Sequence, residues 1–244
     1  MTLMKLLAMD TSNQAVSVAL LEDQQILGEM TVNIRQTHSQ TLLPMIDQLL
    51  KQTKTSIEAI DRFVVAQGPG SYTGLRIAVT TAKSFAWTMA KELVGISSLA
   101  LLAGNVQETT ALIVPLFDAR RDNVFAGVYQ WQDQHLQNVV ADQYLALTDL
   151  LAQVALLNEP VYFVGGDVQQ FNAQIKATLG SQAHFVDANH NLPHAAVLGQ
   201  LGANAEPVAD IHGFGPHYLR KTEAEVNWGK THDDQGSAAY VEQV

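Results

Sequence analysis

One glycine-rich segment has the composition of a loop that can approach an anion. Gly68, Gly70 and Gly74 stand in it beside Ser71 and Thr73. Glycine reaches backbone angles closed to other residues, and free N–H groups at the start of a following helix can bind phosphate. The glycine spacing differs from the dinucleotide-binding pattern, and no lysine follows Gly74 as it would in a P-loop. Spacing alone therefore favours a tight strand-to-helix connection, with Ser71 or Thr73 as the helix cap.

A carboxylate stands at the end of the first predicted strand. Residues 3–10 read as a buried strand that ends in the turn Asp10-Thr11-Ser12-Asn13. A carboxylate at the carboxyl end of a central strand can hold magnesium against a phosphate. The same side chain can instead cap N–H groups of its own turn. The sequence leaves both roles open.

The remaining reactive side chains form no recognisable site. The chain has no cysteine, which excludes a thiolate nucleophile, a thiolate metal site and a disulfide. Ser71 stands in no Gly-x-Ser-x-Gly elbow and has no base near it in the sequence. His38 has no partner ligand, because the other seven histidines lie from His135 onward. We therefore predict neither a catalytic residue nor a metal site.

The elements that position these residues fall into two similar halves. In the first half the periodicity predicts strands at 3–10, 14–22, 26–34, 61–66 and 94–96, and helices at 40–53, 73–93 and 99–105. In the second half it predicts strands at 111–117, 124–131, 137–144 and 160–164, a helix at 148–157 capped by Thr148, a helix ending at 179, and a last helix at 194–204. Asp10 and Asp118 end the first strands of the two halves. We interpret this as a degenerate structural duplication.

The glycine-rich segment also carries a resemblance to a known family. It is similar to the signature of the TsaB (YeaZ) family, which usually has Phe where this chain has Tyr72. The signature residues are Gly68, Pro69, Gly70, Ser71, Tyr72, Thr73, Gly74 and Arg76. Residues 6–12 and the pair His38-Ser39 extend the resemblance, which is strong over the first half of the chain and weak beyond it. It implies an α/β protein with the two-lobed, degenerate actin-like or sugar-kinase-like ATPase fold, each lobe a mixed sheet with helices.

The resemblance implies a role in transfer-RNA modification. TsaB proteins are bacterial subunits of the machinery that makes N6-threonylcarbamoyladenosine at adenosine 37, next to the anticodon. The chain would then be a non-catalytic scaffold and dimerisation subunit that supports a TsaD-like transferase. The other implied partners are a TsaE-like ATPase and a second copy of the chain, with transfer RNA reached only through the complex. Two alternatives stay open: an ATP-dependent small-molecule kinase that uses Asp10 and Asp118, and a peptidase.

The fold implies a nucleotide site that this chain keeps only in part. The candidate residues are Asp10, Thr11, Ser12, Asp118, Gly165 and Gly166. Such ATPases often have Asp-x-Gly at Asp118, whereas Arg120 here would crowd a phosphate. TsaD proteins bind metal through His-x-x-x-His, and Leu42 stands where a histidine would pair with His38. We therefore expect no cofactor in the isolated chain, although the complex can use ATP and magnesium.

The predicted helix 73–93 is unusually poor in charge. Arg76 and Lys83 are its only charged residues between Thr73 and Ala90. A helix with one face in water normally carries more charge, so this helix is either buried on both sides or docks on a partner. The resemblance favours docking, because family members pair through this helix and the preceding one. The expected partner surface comprises Leu42, Leu43, Ile46, Ile77, Thr81, Ser84, Trp87 and Thr88.

Composition limits the classes of function. Apolar residues make up 47% and charged residues 16% of the 244 residues, which is enough for a sizeable core. A net charge of −10 disfavours direct nucleic-acid binding. The N-terminal residues lack the pattern of a signal peptide or a membrane span, so we expect neither and expect a cytoplasmic protein. We expect lobes at 1–106 and 107–222, with the last helix able to pack on the first lobe, and a polar, mobile tail at 223–244.

Overall fold

The computed structural model describes residues 3–34, 37–107 and 109–220. The first lobe contains β1 (Lys5–Asp10), β2 (Val16–Glu22), β3 (Gln25–Val32), α1 (His38–Gln52), a 3-10 turn (Ile57–Ala59), β4 (Arg62–Gly68), α2 (Tyr72–Met89), β5 (Glu92–Ser97) and α3 (Ser98–Gly104). The remaining elements are β6 (Leu112–Asp118), β7 (Asn123–Gln132), β8 (His135–Ala146), α4 (Leu147–Leu157), β9 (Val161–Val164), α5 (Val168–Leu179), a 3-10 turn (Gly180–Gln182), β10 (Ala183–Phe185) and α6 (Ala195–Ala203). No helix in the described ranges is long and apolar enough to cross a membrane.

The two five-stranded sheets have the same topology. The first sheet has the order β3-β2-β1-β4-β5, and the second has β8-β7-β6-β9-β10. In each sheet the first three strands of the lobe pair antiparallel, and the last two continue parallel to the first. Strand for strand, the second lobe therefore repeats the first. This confirms the predicted fold class, a two-lobed actin-like α/β protein with a mixed sheet in each lobe.

Helices cover the first sheet on both faces, which explains why its central strands are apolar throughout. Alternate residues of a strand point to opposite faces. Leu7 and Met9 of β1 pack with α1 and α2, whereas Leu6 and Ala8 pack in a second cluster with α3 and α6. The chain thus returns to the first lobe after it completes the second sheet.

A buried arginine fixes this returning helix. The Arg62 Nη1 atom donates to the carbonyl oxygens of Gly202 and Ala203 at 2.8 Å each, and Nε donates to Glu92 at 2.7 Å. The last carbonyls of a helix lack partners within the helix. The side chain of Arg62 therefore caps the C-terminus of α6 from β4.

The C-terminal segment 206–220 crosses the first lobe and ends near the start of α2. The backbone N–H of Val208 donates to Leu93 at 2.8 Å, and that of His217 donates to Gln67 at 2.7 Å. Lys83 on α2 donates to the carbonyl oxygen of Phe214 at 3.1 Å. These bonds attach the segment to α2 and to the ends of β4 and β5.

Several predicted element boundaries need correction. Helix α2 ends at Met89, because Ala90 adopts a left-handed conformation with φ 52°, and Leu93, predicted as the end of this helix, belongs to β5. Thr148 does not cap α4, whose N-cap position is Ala146. The short strand β10 was not predicted, since its three residues show no periodicity. The tail predicted at 223–244 lies outside the described residues.

Candidate functional site

The glycine-rich loop lies directly against the Asp10 turn. The backbone N–H of Ser71 donates to the carbonyl oxygen of Ser12 at 2.7 Å, and the Thr11 hydroxyl donates to the carbonyl oxygen of Gly74 at 2.6 Å. A Cβ atom added at Gly70 or Gly74 would lie closer than 3.0 Å to the carbonyl oxygen of Ser12 or Thr11, a separation that real side chains essentially never show. Gly70 and Gly74 of the signature are therefore explained by this close approach of two backbones.

The contact buries the turn in which a phosphate would have to bind. Asp10 and Thr11 are 0% exposed and Ser12 is 1% exposed. The Asp10 Oδ1 atom accepts from the backbone N–H of Ser12 at 2.8 Å, which is the local capping role that the sequence left open. Its Oδ2 atom is buried and has no hydrogen-bond partner among the described residues. The arrangement favours the capping role over metal binding.

Burial changes the acidity of this carboxyl group. It raises the pKa of Asp10 to about 6, against the smaller opposing effects of the Ser12 N–H group and His38. The folded protein therefore holds a proton on Asp10 between about pH 4 and pH 6, where the unfolded chain has lost it. In this window the contribution of Asp10 to stability falls as the pH rises.

Replacing Asp10 by asparagine is expected to remove this pH dependence. The stability of Asp10→Asn relative to the unmodified protein should rise between pH 4 and pH 7, because the amide has no charge to bury. Chemical denaturation at several pH values measures the difference. Asp133→Asn, at an exposed position, is the control and should show no such trend. A difference for Asp10→Asn that stays constant with pH would contradict the prediction.

The corresponding turn of the second lobe is held differently. Asp118 is exposed, and its Oδ1 atom accepts from the backbone N–H of Arg120 at 2.8 Å. The Asp167 carboxylate accepts from the backbone N–H of Asp118 at 3.0 Å, and burial raises its pKa. Gly165 has a φ of 135°, and its N–H donates to the Asn191 side chain at 2.8 Å. Asp118 and Gly165 thus take part in turns that join neighbouring strands and loops.

A cleft of about 930 Å³ opens between the glycine-rich loop and the Asp118 turn. Its lining is Ser12, Asn13, Gly70, Ser71, Tyr72, Thr73, Phe117, Asp118, Ala119, Arg120, Arg121, Phe125, Tyr218, Leu219 and Arg220. It brings together Ser12, Asp118 and the signature loop, but Asp10, Thr11 and the glycine pair at 165–166 do not line it. Sequence reasoning missed Tyr218 and Arg220, which reach the cleft only because the C-terminal segment crosses the first lobe.

A second concavity of about 540 Å³ lies between α1 and α2. Its lining is Ser39, Leu42, Leu43, Tyr72, Thr73, Arg76, Ile77, Thr80 and Thr81. Along α2 the exposed positions Ser84, Trp87 and Thr88 continue from it at helical spacing. Leu43 and Trp87 are 52% and 65% exposed, which is high for large apolar side chains. We call this groove and its continuation along α2 the α1–α2 surface.

The structure corrects two members of the expected partner surface. Leu42 and Ile46 are 1% and 3% exposed and pack in the core beneath α1. Both lie on the face of α1 that turns toward the sheet, four residues apart. Leu42 also forms part of the lining of the groove, whereas Ile46 does not. Of the α1 residues that line the groove, Ser39 and Leu43 are exposed, while Ile77 and Thr81 of α2 are half-buried.

The side chains considered for metal binding and nucleophilic chemistry have structural contacts. His38 begins α1, and its Nε2 atom lies 3.2 Å from the carbonyl oxygen of Gln14. Across the described residues, no group of three or more histidine or acidic side chains could hold a metal ion. The Ser71 hydroxyl accepts from the backbone N–H of Gly74 at 3.3 Å, so it serves as the cap of α2.

Comparison with known proteins gives consistent relatives. A family model described as "TsaD: tRNA N6-adenosine threonylcarbamoyltransferase" matches residues 25–228. The Bacillus subtilis "tRNA threonylcarbamoyladenosine biosynthesis protein TsaB" is 38% identical over 225 residues, which covers 92% of this chain and 98% of the relative. The Haemophilus influenzae protein of the same name is 35% identical, with 92% and 96% covered. A Pseudomonas aeruginosa crystal structure, described as similar to "peptidase YEAZ", aligns with a TM-score of 0.73 and 28% identity, covering 89% of this chain and all of that one.

Proposed function

Because the chain belongs to the TsaB (YeaZ) family, we propose that it is a non-catalytic subunit in the formation of threonylcarbamoyladenosine on transfer RNA. The observation that carries this proposal is the contact of the signature loop with the Asp10 turn. It leaves no room for a phosphate at the carboxylate that an ATPase of this fold would need, since Asp10 is 0% exposed. The chain then supports a catalytic TsaD-type transferase and does not itself carry out the transfer.

The α1–α2 surface is the contact site that we propose for this partner. Leu43 of α1 and Trp87 of α2 are exposed apolar side chains. Ser84 and Thr88, which are also exposed on α2, are small enough to let a partner helix approach closely. Two helices from each partner would form a four-helix interface. Its apolar, weakly charged character fits a partner that presents a similar pair of helices.

The same surface can accept a second copy of the chain. Homodimer formation and transferase binding should therefore compete for one site.

We propose that a TsaE-type ATPase joins the complex in the cytoplasm. Transfer RNA is reached through the other subunits, because a net charge of −10 repels a polyanion.

Co-elution with the TsaD-type protein of the same organism tests the proposal. The two purified proteins, mixed at micromolar concentration, should elute from a size-exclusion column earlier than either alone and with both polypeptides in the peak. Excess of this chain over the partner should leave the surplus as a separate species. Two independent peaks at that concentration would argue against a partner-supporting role.

A further inference from the structure

The cleft between the lobes is basic, although the protein as a whole is acidic. The chain contains 14 lysines and arginines against 24 acidic residues. Arg120, Arg121 and Arg220 nevertheless line a single cleft, with Asp118 as the carboxylate beside them. Clefts lined mainly by one sign of charge concentrate ligands of the opposite sign.

Arg120 is positioned without a partner of its own. Its guanidinium group makes no hydrogen bond or ion pair with any described residue, and its side chain is exposed. Residues 120, 121 and 122 have φ of 67°, 54° and 57°, which is uncommon for residues other than glycine. The Asn123 side-chain amide supports this turn by donating to the carbonyl oxygen of Arg121 at 2.9 Å. A fixed turn thus presents an arginine to the cleft.

Arg220 is fixed beside the same turn. The Arg220 Nη1 atom donates to the carbonyl oxygen of Ala119 at 3.0 Å, and its guanidinium lies 5.5 Å from the ring centre of Tyr144. The rings of Tyr72 and Tyr218 stack with their centres 5.0 Å apart. Guanidinium groups match the geometry of phosphate oxygens. The volume of the cleft, about 930 Å³, is typical of a small-molecule site.

We propose that this cleft binds a small polyphosphate, either the phosphate chain of a nucleotide or free inorganic polyphosphate. The ligand would be held by the arginines outside the signature loop and not at the Asp10 turn, which the loop covers. Gly165 and Gly166, the glycine pair expected beside a nucleotide, do not line the cleft either. The proposal goes beyond the partner-supporting role and beyond the expectation that the isolated chain binds no cofactor.

Isothermal titration calorimetry of the full chain with tripolyphosphate and, separately, with ATP tests the proposal. Arg120→Gln is expected to weaken binding of either ligand about tenfold or more, because a charged hydrogen-bond donor is lost. Lys54→Gln is a matched control. Lys54 is an exposed basic residue that also has a positive φ, 51°, and it does not line the cleft. Its replacement should leave the affinity unchanged.

The two ligands distinguish the source of the phosphate. Tighter binding of ATP would assign the site to a nucleotide, and equal binding would assign it to the phosphate chain alone. No saturable binding of either ligand at about 1 mM, or an affinity that Arg120→Gln does not change, would overturn the proposal. Arg120 lies outside the α1–α2 surface, so co-elution of Arg120→Gln with the transferase tests the proposed function independently.

Discussion

Replacing Gly74 by alanine is expected to destabilise the protein by about 3 kcal/mol. In an unobstructed helix the same change would stabilise by about 1 kcal/mol, because alanine is the better helix former. Here the new Cβ atom would overlap the backbone carbonyl of Thr11 and would also lie 3.3 Å from the Cβ atom of the cap residue, Ser71. Moving Gly74 away from Thr11 would strain the bond from the Thr11 hydroxyl to the Gly74 carbonyl oxygen, so overpacking outweighs propensity.

Thermal or chemical denaturation measures this effect, and a second glycine provides the control. Gly166→Ala places a Cβ atom where nothing lies within 4 Å, so it should change stability little. If Gly74→Ala were as stable as Gly166→Ala, the signature loop could not be packed against the Asp10 turn as described. A stable Gly74→Ala protein that gained metal-dependent ATP binding would likewise contradict the account of the Asp10 turn.

The second large effect is expected on association. Ser84→Glu should weaken binding to the TsaD-type partner, and homodimer formation where it occurs, by about 100-fold or more. The carboxylate would be buried without a counter-charge in a closed helical interface, at a cost of several kcal/mol. Ser84 is exposed in the single chain, so the fold should survive the substitution.

Ala152→Glu is the matched control for this experiment. It introduces the same charge at an exposed helical position of α4, in the other lobe. Size-exclusion chromatography together with circular dichroism separates the outcomes. A folded Ser84→Glu protein that pairs as well as Ala152→Glu would mean that the interface lies elsewhere, and an unfolded one would mean that this face of α2 belongs to the core.

The succession of strands and helices along the chain could be predicted because it rests on periodicity. The buried residues of α1 recur every three or four positions, and the repeated order of strands places Asp10 and Asp118 at equivalent ends. Periodicity tells which residues are apolar together, but it does not tell which of them face the sheet and which face a partner. Leu42 and Leu43 are adjacent in the sequence, yet one is buried and the other exposed.

The cleft could not be predicted in full, because its walls come from segments without periodicity. Tyr218 and Arg220 reach it through the bonds that Leu93 and Gln67 make with the segment 206–220. The sequence showed Arg120 only as an obstacle to a phosphate at Asp118. Its orientation depends on a left-handed turn, and Asp122 is the only one of the three left-handed residues whose type favours that conformation, since glycine is absent from residues 119–123.

The most direct test of the central claim is reconstitution of the modification itself. Transfer RNA is incubated with the threonylcarbamoyl donor and with this chain alone, the TsaD-type transferase alone, the transferase with this chain, or the complete set of subunits with and without this chain. Nucleosides from each reaction are then quantified by mass spectrometry. The account predicts threonylcarbamoyladenosine only when the transferase is present, with a yield that rises when this chain is added. Product formed by this chain alone, or a yield with the transferase that this chain does not change, would contradict it.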